Sequence, residues 1–306
     1  MTDPRSSSAP PGDANAGEPS GARAPGPRPL APGLYIVATP IGNLRDITLR
    51  ALDVLAGADR VFAEDTRVTH KLLSAHGLGA RLDSYHEHNE ARAGAAALAA
   101  LEAGERVALV SDAGTPLISD PGYRLVRAAI AAGHPVFPIP GPSAGLAALC
   151  AAGLPSDRFL FAGFLPAKAG PRARAIGEVA DVRATRVFYE SGPRLAESLA
   201  ALAAALGPRD GVVARELTKL FEEFRRDRLD ALAAHYARAP APKGEIVILV
   251  GPPEGVDTPD PDEVDAALKT ALAHLSVKDA ADEIAQRFAL PRRDVYARAL
   301  ALKDEL

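Results

Sequence analysis

The stretch RVALVSDAGTPLISDPG (106–122) joins a short apolar run to a long loop of glycine, proline and aspartate. RVALV (106–110) reads as a buried strand, because apolar residues fill it without the alternation of a half-exposed one. A strand ending in such a loop presents its backbone to a ligand. The loop holds no lysine or arginine and so offers no side-chain cation to a phosphate. What Asp112 faces is therefore the first question.

Outward from this stretch, short β-branched runs alternate with longer Ala/Leu-rich segments. LYIVAT (34–39), RVFAE (60–64), LDSYH (82–86), RVALV and PVFPI (135–139) read as strands. Gly77, Gly104, Gly133 and Gly153 follow the Ala/Leu runs, where a left-handed residue closes a helix. Alternating strands and helices imply a mostly parallel sheet covered on both faces. FLFAGFLPAKAGPRA (159–173) breaks the rhythm and reads as an interdomain connection. A second α/β block follows, with strands TRVFYE (185–190), GVVAR (211–215) and EIVILV (245–250), and helices near 193–206 and 228–238. The organisation expected is a disordered Pro/Gly/Ala/Ser-rich tail (1–33), an α/β domain (34–155), a second α/β domain (156–252) and a small helical module (261–306).

Composition narrows the function. The chain has 306 residues, 47% hydrophobic and 24% charged, as in ordinary globular proteins. Its net charge of -4 provides no bulk basic field, so nucleic-acid contact requires a local patch. A single cysteine, Cys150, excludes a disulfide framework, and its apolar run LAALCAAGL reads as burying an inert thiol. No membrane span or signal peptide is expected, which makes Lys303-Asp304-Glu305-Leu306 a chance helix end and the protein cytoplasmic.

In a parallel sheet the loops TPIGNL (39–44), SDAGTPLISDPG (111–122) and PGPSAG (140–145) all leave strand ends on one edge, where open α/β sheets bind ligands. The Gly-rich fingerprints of NAD and ATP sites are missing. GPSAG (141–145) fits the nucleophile elbow G-x-S-x-G. The later histidines, His235 and His274, sit in helical stretches and not after strands, so Ser143 is read as capping the next helix. In YHEHNE (85–90), His86 and His88 share a strand face but lack a third ligand, and no metal site is assigned. AEDTR (63–67) places Glu64, Asp65 and Arg67 just beyond a strand end. ARELTKLFEEFRRDR (214–228) reads as an amphipathic segment, and it is one of the few local concentrations of basic residues.

Taken together, LYIVATPIGNLRDITLRAL, AEDTR, HEHNE, LVSDAGTPLISDPG, PGPSA, FYESGPR and ARELTK resemble the small-subunit (16S) ribosomal RNA ribose-2′-O-methyltransferases, a branch of the tetrapyrrole-methylase superfamily. The resemblance runs from about Leu34 to Val250 and extends into the helical end. It implies S-adenosylmethionine held between two α/β domains, a homodimer, and a cytidine ribose of the assembled small subunit as acceptor. By resemblance Pro40, then Asp112, Ala113, Gly114 and Thr115, then Phe188 to Glu190, and Ala214 with Arg215 would hold the cofactor. Arg67, Lys219, Arg292 and Arg293 are expected to meet RNA. Ser111-Asp112-Ala113 stands where the porphyrin branch shows Gly-Asp-Pro, which favours RNA over porphyrin. A cationic sulfonium suits a lysine-free loop bearing Asp112. The general base is not named by the sequence; Glu64, Asp65, His86, Asp112 and Glu216 are candidates. A porphyrin-type small-molecule methyltransferase and a noncatalytic nucleic-acid-binding regulator are the alternatives.

Overall fold

The computed structural model describes residues 29–253, 261–288 and 290–305. The expected tail lies mostly outside the described residues; of its last few, Leu30 packs on the first domain's core and Gly33 opens a strand.

Strands β1 (Gly33–Val37), β2 (Arg60–Ala63), β3 (Leu82–Ser84), β4 (Arg106–Val110) and β5 (Val136–Ile139) form one parallel sheet in the order β3-β2-β4-β1-β5. Helices α1 (Leu49–Gly57) and α2 (Thr66–Ala75) cover one face; α3 (Glu90–Glu102) and α4 (Tyr123–Ala131) cover the other. Both faces are thus dry, which is why β4 is apolar from Val107 to Val110. The four expected glycines all have positive φ at helix ends, and the first sheet is as parallel as its sequence rhythm implied.

Helix α5 (Ala144–Ala152) leaves this sheet and lies against a second one. Its Ala148, Leu149 and Ala152 are buried there, whereas Leu146 and Cys150 point outward. The expected buried thiol is therefore exposed. Residues along α5 are apolar all round, but only one side of the helix is covered.

The second sheet holds β6 (Phe159–Phe164), β7 (Thr185–Ser191), β8 (Asp210–Arg215), β9 (Glu223–Arg228) and β10 (Glu245–Val250), in the order β6-β7-β10-β8-β9. Only β6 and β7 run parallel. Helices α6 (Ala169–Glu178), α7 (Leu195–Leu206) and α8 (Leu229–Arg238) cover the face away from α5.

Two segments differ from expectation. Residues 159–173 form β6 and the start of α6 where a plain connection was expected; the strand's apolar run is interrupted at a register shift beside Gly163, φ +64°. Residues 223–228 form β9 where an amphipathic segment was expected. As an edge strand with solvent beside it, β9 carries charges at most positions.

One buried cation organises the second domain. Arg186 of β7 is 0% exposed, and its guanidinium donates to the carbonyls of Val179 (2.7 Å), Ala180 (2.8 Å), Val182 (2.5 Å), Ala184 (3.0 Å) and Gly251 (3.2 Å). Burial pushes its pKa down to about 10.

Helices α9 (Pro261–Leu272), α10 (Val277–Phe288) and α11 (Arg292–Glu305) bury Val264, Leu268, Ile284, Val295 and Leu302 in a core of their own. Ser276 caps α10, its Oγ accepting from the Asp279 N–H at 3.2 Å. Among the described residues no helix is long and apolar enough to cross a membrane.

Candidate cofactor cleft

β1 and β4 are neighbours, yet α1 and α4, the helices that follow them, pack on opposite faces of the sheet. At such a switch point the outgoing loops diverge and leave a crevice at the carboxyl ends of the strands. Loops 39–44, 111–122 and 140–145 meet there. Thr39 and Gly114 exchange backbone hydrogen bonds of 2.8 and 3.0 Å. Thr39 Oγ1 donates to the Ser111 carbonyl (3.1 Å), and Thr115 Oγ1 to that of Pro142 (3.1 Å). Gly114 sits at φ +80° with Ile41 3.4 Å from where a Cβ would stand, so only glycine takes this turn without strain. Leu117 and Ser119 adopt φ of +74° and +67° despite their side chains.

The second sheet closes the crevice into a cavity of about 380 Å³. Phe164, Tyr189, Leu217, Ile246 and Val247 form its largely apolar wall. Facing them, Asp112, Ala113, Gly114 and Thr115 line the cavity, as do Glu64 and Asp120. With Glu190 and Glu245 the lining holds five carboxylates and no lysine, arginine or histidine.

The carboxylates differ in what holds them. Asp112 Oδ1 accepts the Asp65 N–H at 2.8 Å, and Glu64 Oε2 accepts the Asp112 N–H at 3.4 Å, so the ends of β2 and β4 are laced together. Burial raises the pKa of both Glu64 and Asp112. Burial also pushes Asp120 up to about 6, assisted by the charges of Glu64 and Asp112 and opposed by the Ser111 hydroxyl beside it. Glu190 is 3% exposed; its Oε1 accepts from the Ser191 N–H at 2.9 Å and lies 3.4 Å from Arg194 Nε, and Ser198 Oγ donates to its Oε2.

The remaining candidates are arranged around this cavity. Asp65 caps α2 and ion-pairs with Arg67, which brings its pKa down to about 2. Arg67 is itself exposed. His86 and His88 stand on a short turn, because β3 stops at Ser84; their rings meet edge to face with centroids 6.0 Å apart. Among the described residues no three His, Cys, Asp or Glu side chains are grouped to hold a metal. Pro40 is buried next to Thr39. Phe188 and Ala214 are wholly buried on opposite faces of the second sheet, Phe188 under its helices and Ala214 in the cluster around α5; neither lines the cavity. Arg215 pairs with Glu223 at 3.0 Å. Glu216 holds Lys219 at 2.9 Å, and Glu245 holds the same ammonium at 3.0 Å. Arg292 is tied to Asp282 within the helical module, whereas the neighbouring Arg293 is exposed.

Ser143 occupies the N-cap position of α5, but its side chain makes no capping hydrogen bond. The cap comes from the other domain: the Tyr189 hydroxyl accepts the Gly145 N–H at 3.2 Å. Local sequence pointed to Ser143, and only the packing of the two sheets brings Tyr189 there. Asp120, Phe164, Ile246 and Val247 also escaped the sequence reading. For Asp120 a signal existed. The connection from β4 to α4 spans residues 111–122, whereas a βα loop usually takes ~2–6 residues. A loop of that length has room to fold back over the strand ends.

Comparison with known proteins agrees with this architecture. Residues 33–233 match the family Tetrapyrrole (Corrin/Porphyrin) Methylases, and residues 258–303 match the RsmI C-terminal HTH domain. The chain is 55% identical over 278 residues to "Ribosomal RNA small subunit methyltransferase I" of Mesorhizobium japonicum, covering 90% of this chain and 94% of that one. It is 47% identical to the protein of the same name from Escherichia coli O157:H7, covering 87% and 94%. Among solved structures, diphthine synthase superposes with a TM-score of 0.56 at 18% identity over 71% of this chain and 89% of its own. The cobalt precorrin-4 methyltransferase CbiF does so with 0.55 at 19% identity over 71% and 94%. At such identities the last two speak for the fold alone.

Proposed function

The chain belongs to the Tetrapyrrole (Corrin/Porphyrin) Methylases, in the branch of the ribosomal RNA small subunit methyltransferases I, and from that premise we propose that it methylates the ribose 2′-hydroxyl of a cytidine in 16S ribosomal RNA. The methyl donor is S-adenosylmethionine, which supplies an activated methyl group on a cationic sulfur. One observation carries the reading: a cavity at the sheet's switch point with an apolar wall on one side, five carboxylates and no basic side chain. That lining suits a donor bearing a sulfonium, an ammonium and a flat base, and it repels the phosphates of a nucleotide cofactor.

Asp112 to Thr115 and the backbone of Tyr189 to Ser191 would hold the donor from the two walls, and Glu190 would do so through a carboxylate fixed by Ser191, Ser198 and Arg194. Alignment of acceptor and methyl in a water-poor cleft can itself lower the barrier by roughly 7–11 kcal/mol. The acceptor's phosphates stay outside the acidic cavity, where Arg67 at the rim and Arg293 on the helical module are exposed to meet them. With a net charge of -4, recognition relies on the shape of an assembled subunit more than on bulk attraction. On this reading the enzyme works in the cytoplasm as a homodimer, and Leu146, Leu220 and Phe221, exposed at 50%, 90% and 68%, are apolar side chains that a partner could cover.

The test is labelled methyl transfer from S-adenosylmethionine to small ribosomal subunits, free 16S RNA and a porphyrin precursor. Label is expected on the subunit, with one linkage resistant to alkali, because alkaline cleavage needs the free 2′-hydroxyl. Label on the porphyrin, or on RNA that still cleaves at every linkage, refutes the ribose assignment.

A further inference from the structure

A ribose hydroxyl must lose its proton as it takes the methyl group, and the cavity and its surroundings offer several carboxylates to receive it. Most are already committed. Asp65 is held by Arg67, Glu190 by Arg194 and two serines, Glu216 by Lys219, and Glu245 by the same lysine. Glu64 and Asp112 accept backbone N–H groups that lace loop to strand end. His86 does not line the cavity.

Asp120 remains. It lines the cavity, no ion pair holds it among the described residues, and the Ser111 hydroxyl is its neutral neighbour. Its surroundings are Glu64 at the end of β2, Asp112 and Ser111 after β4, and the Tyr189 hydroxyl of β7 across the cleft. The loop that carries it takes left-handed backbone at Leu117 and Ser119. Such conformations persist only where the surrounding structure enforces them, and they concentrate at functional sites.

We propose that Asp120 is the catalytic base of the methyl transfer. This deepens the ribose reading above and rests on it. The acceptor O–H bond breaks and its proton passes to the Asp120 carboxylate. The oxygen forms its bond to the methyl carbon while the carbon–sulfur bond breaks, its electron pair returning to sulfur. A cation and a carboxylate thereby become a neutral thioether and a carboxylic acid, and charge balances. A base that holds a proton up to about pH 6 is also better matched to this task near neutrality than an ordinary carboxylate.

The same geometry has a consequence readable without any cofactor. The folded-state pKa of Asp120 is raised, so wild-type stability falls as pH climbs from the usual carboxylate value of ~3.9 through about 6. Asp120→Asn removes that cost. The variant's melting temperature should therefore gain on the wild type between about pH 4 and about pH 7.5.

The experiment compares wild type and Asp120→Asn in three measurements: thermal unfolding against pH without ligand, calorimetric binding of S-adenosylhomocysteine, and single-turnover methylation of small subunits against pH. Expected are the relative gain in melting temperature, homocysteine-analogue affinity unchanged within about threefold, and transfer lowered on the order of 10²-fold or more. The wild-type rate should rise to a plateau with an inflection at or below about pH 6, absent in the variant. Transfer by Asp120→Asn within about threefold of wild type, or the same inflection in both proteins, overturns the assignment. If the variant binds no analogue, the wild-type profile decides, and a rate without an inflection overturns it. If the wild type itself leaves the subunit's ribose unmethylated, the ribose reading falls and the assignment with it.

Discussion

The two walls of the cleft are built on different terms. The first-domain wall consists of loops: Glu64 stands beyond the end of β2, and Asp112 and Asp120 stand beyond β4 on a loop bent at Gly114, Leu117 and Ser119. The second-domain wall draws mainly on strands, with Tyr189, Ile246 and Val247 held in β7 and β10 by antiparallel register. Loops can aim charged groups at chosen points, and strand faces offer a dry surface of fixed shape. On the reading proposed above, proton chemistry belongs to the first wall, whereas the second excludes water with its strand face and adds the carboxylates of Glu190 and Glu245.

That division can be tested by substitution on either side. Among substitutions that test this comparison, the largest effect is expected at Asp112→Asn. An amide oxygen still accepts the Asp65 N–H, so the loop is kept and only the charge is lost. S-adenosylmethionine affinity should fall about tenfold, ~1.4 kcal/mol, while S-adenosylhomocysteine, which lacks the sulfonium charge, should lose less. Equal losses by calorimetry would mean that Asp112 shapes the wall and leaves the charge work to others.

Tyr189→Phe probes a place where the second wall reaches across with a polar group. Losing the acceptor for the Gly145 N–H should cost ~1 kcal/mol in urea unfolding. An unchanged midpoint would show that water replaces the hydroxyl and that the walls are independent at this point. Ser143→Ala should do least. With no capping bond to lose, its change in stability should stay within ~0.5 kcal/mol. A loss near that of Tyr189→Phe would return the cap to Ser143.

The first sheet was legible because its strands and glycine-closed helices follow one another in a repeating βα rhythm that local sequence encodes. The second sheet was legible only at its interior: β7, β8 and β10 are buried runs, whereas the edge strands β6 and β9 carry a glycine bulge and a row of charges that imitate a connection and an amphipathic segment. At the site, the loops after β1, β4 and β5 were found because strand ends of a parallel sheet share one edge. Asp120 was overlooked within the same stretch as Asp112. Its place depends on how residues 115–122 fold back, and that path is set by contacts such as Ser119 near Gly163 in the other domain. Tyr189 lay within the expected segment 188–190, but its capping role was missed for the same reason, since no local pattern announces a helix capped from another sheet. Cys150 shows the converse error, where an apolar run was read as buried although only one side of its helix is covered.

Arg186 sets a limit on how this domain can diverge. It grips residues 179–184 through main-chain carbonyls alone, and Asp181, Val182 and Arg183 turn their side chains to solvent. Nearly every amino acid offers the same carbonyl, so the turn can drift in sequence without losing its hold. Position 186 has no such freedom. Only arginine brings five N–H donors on one planar group, and a shorter or less branched cation there would lose several of these bonds at once. Arg186, joined by Arg209 at the Ala180 carbonyl, thus carries the side-chain hold on a whole surface turn, and the turn's own codons are released to mutate.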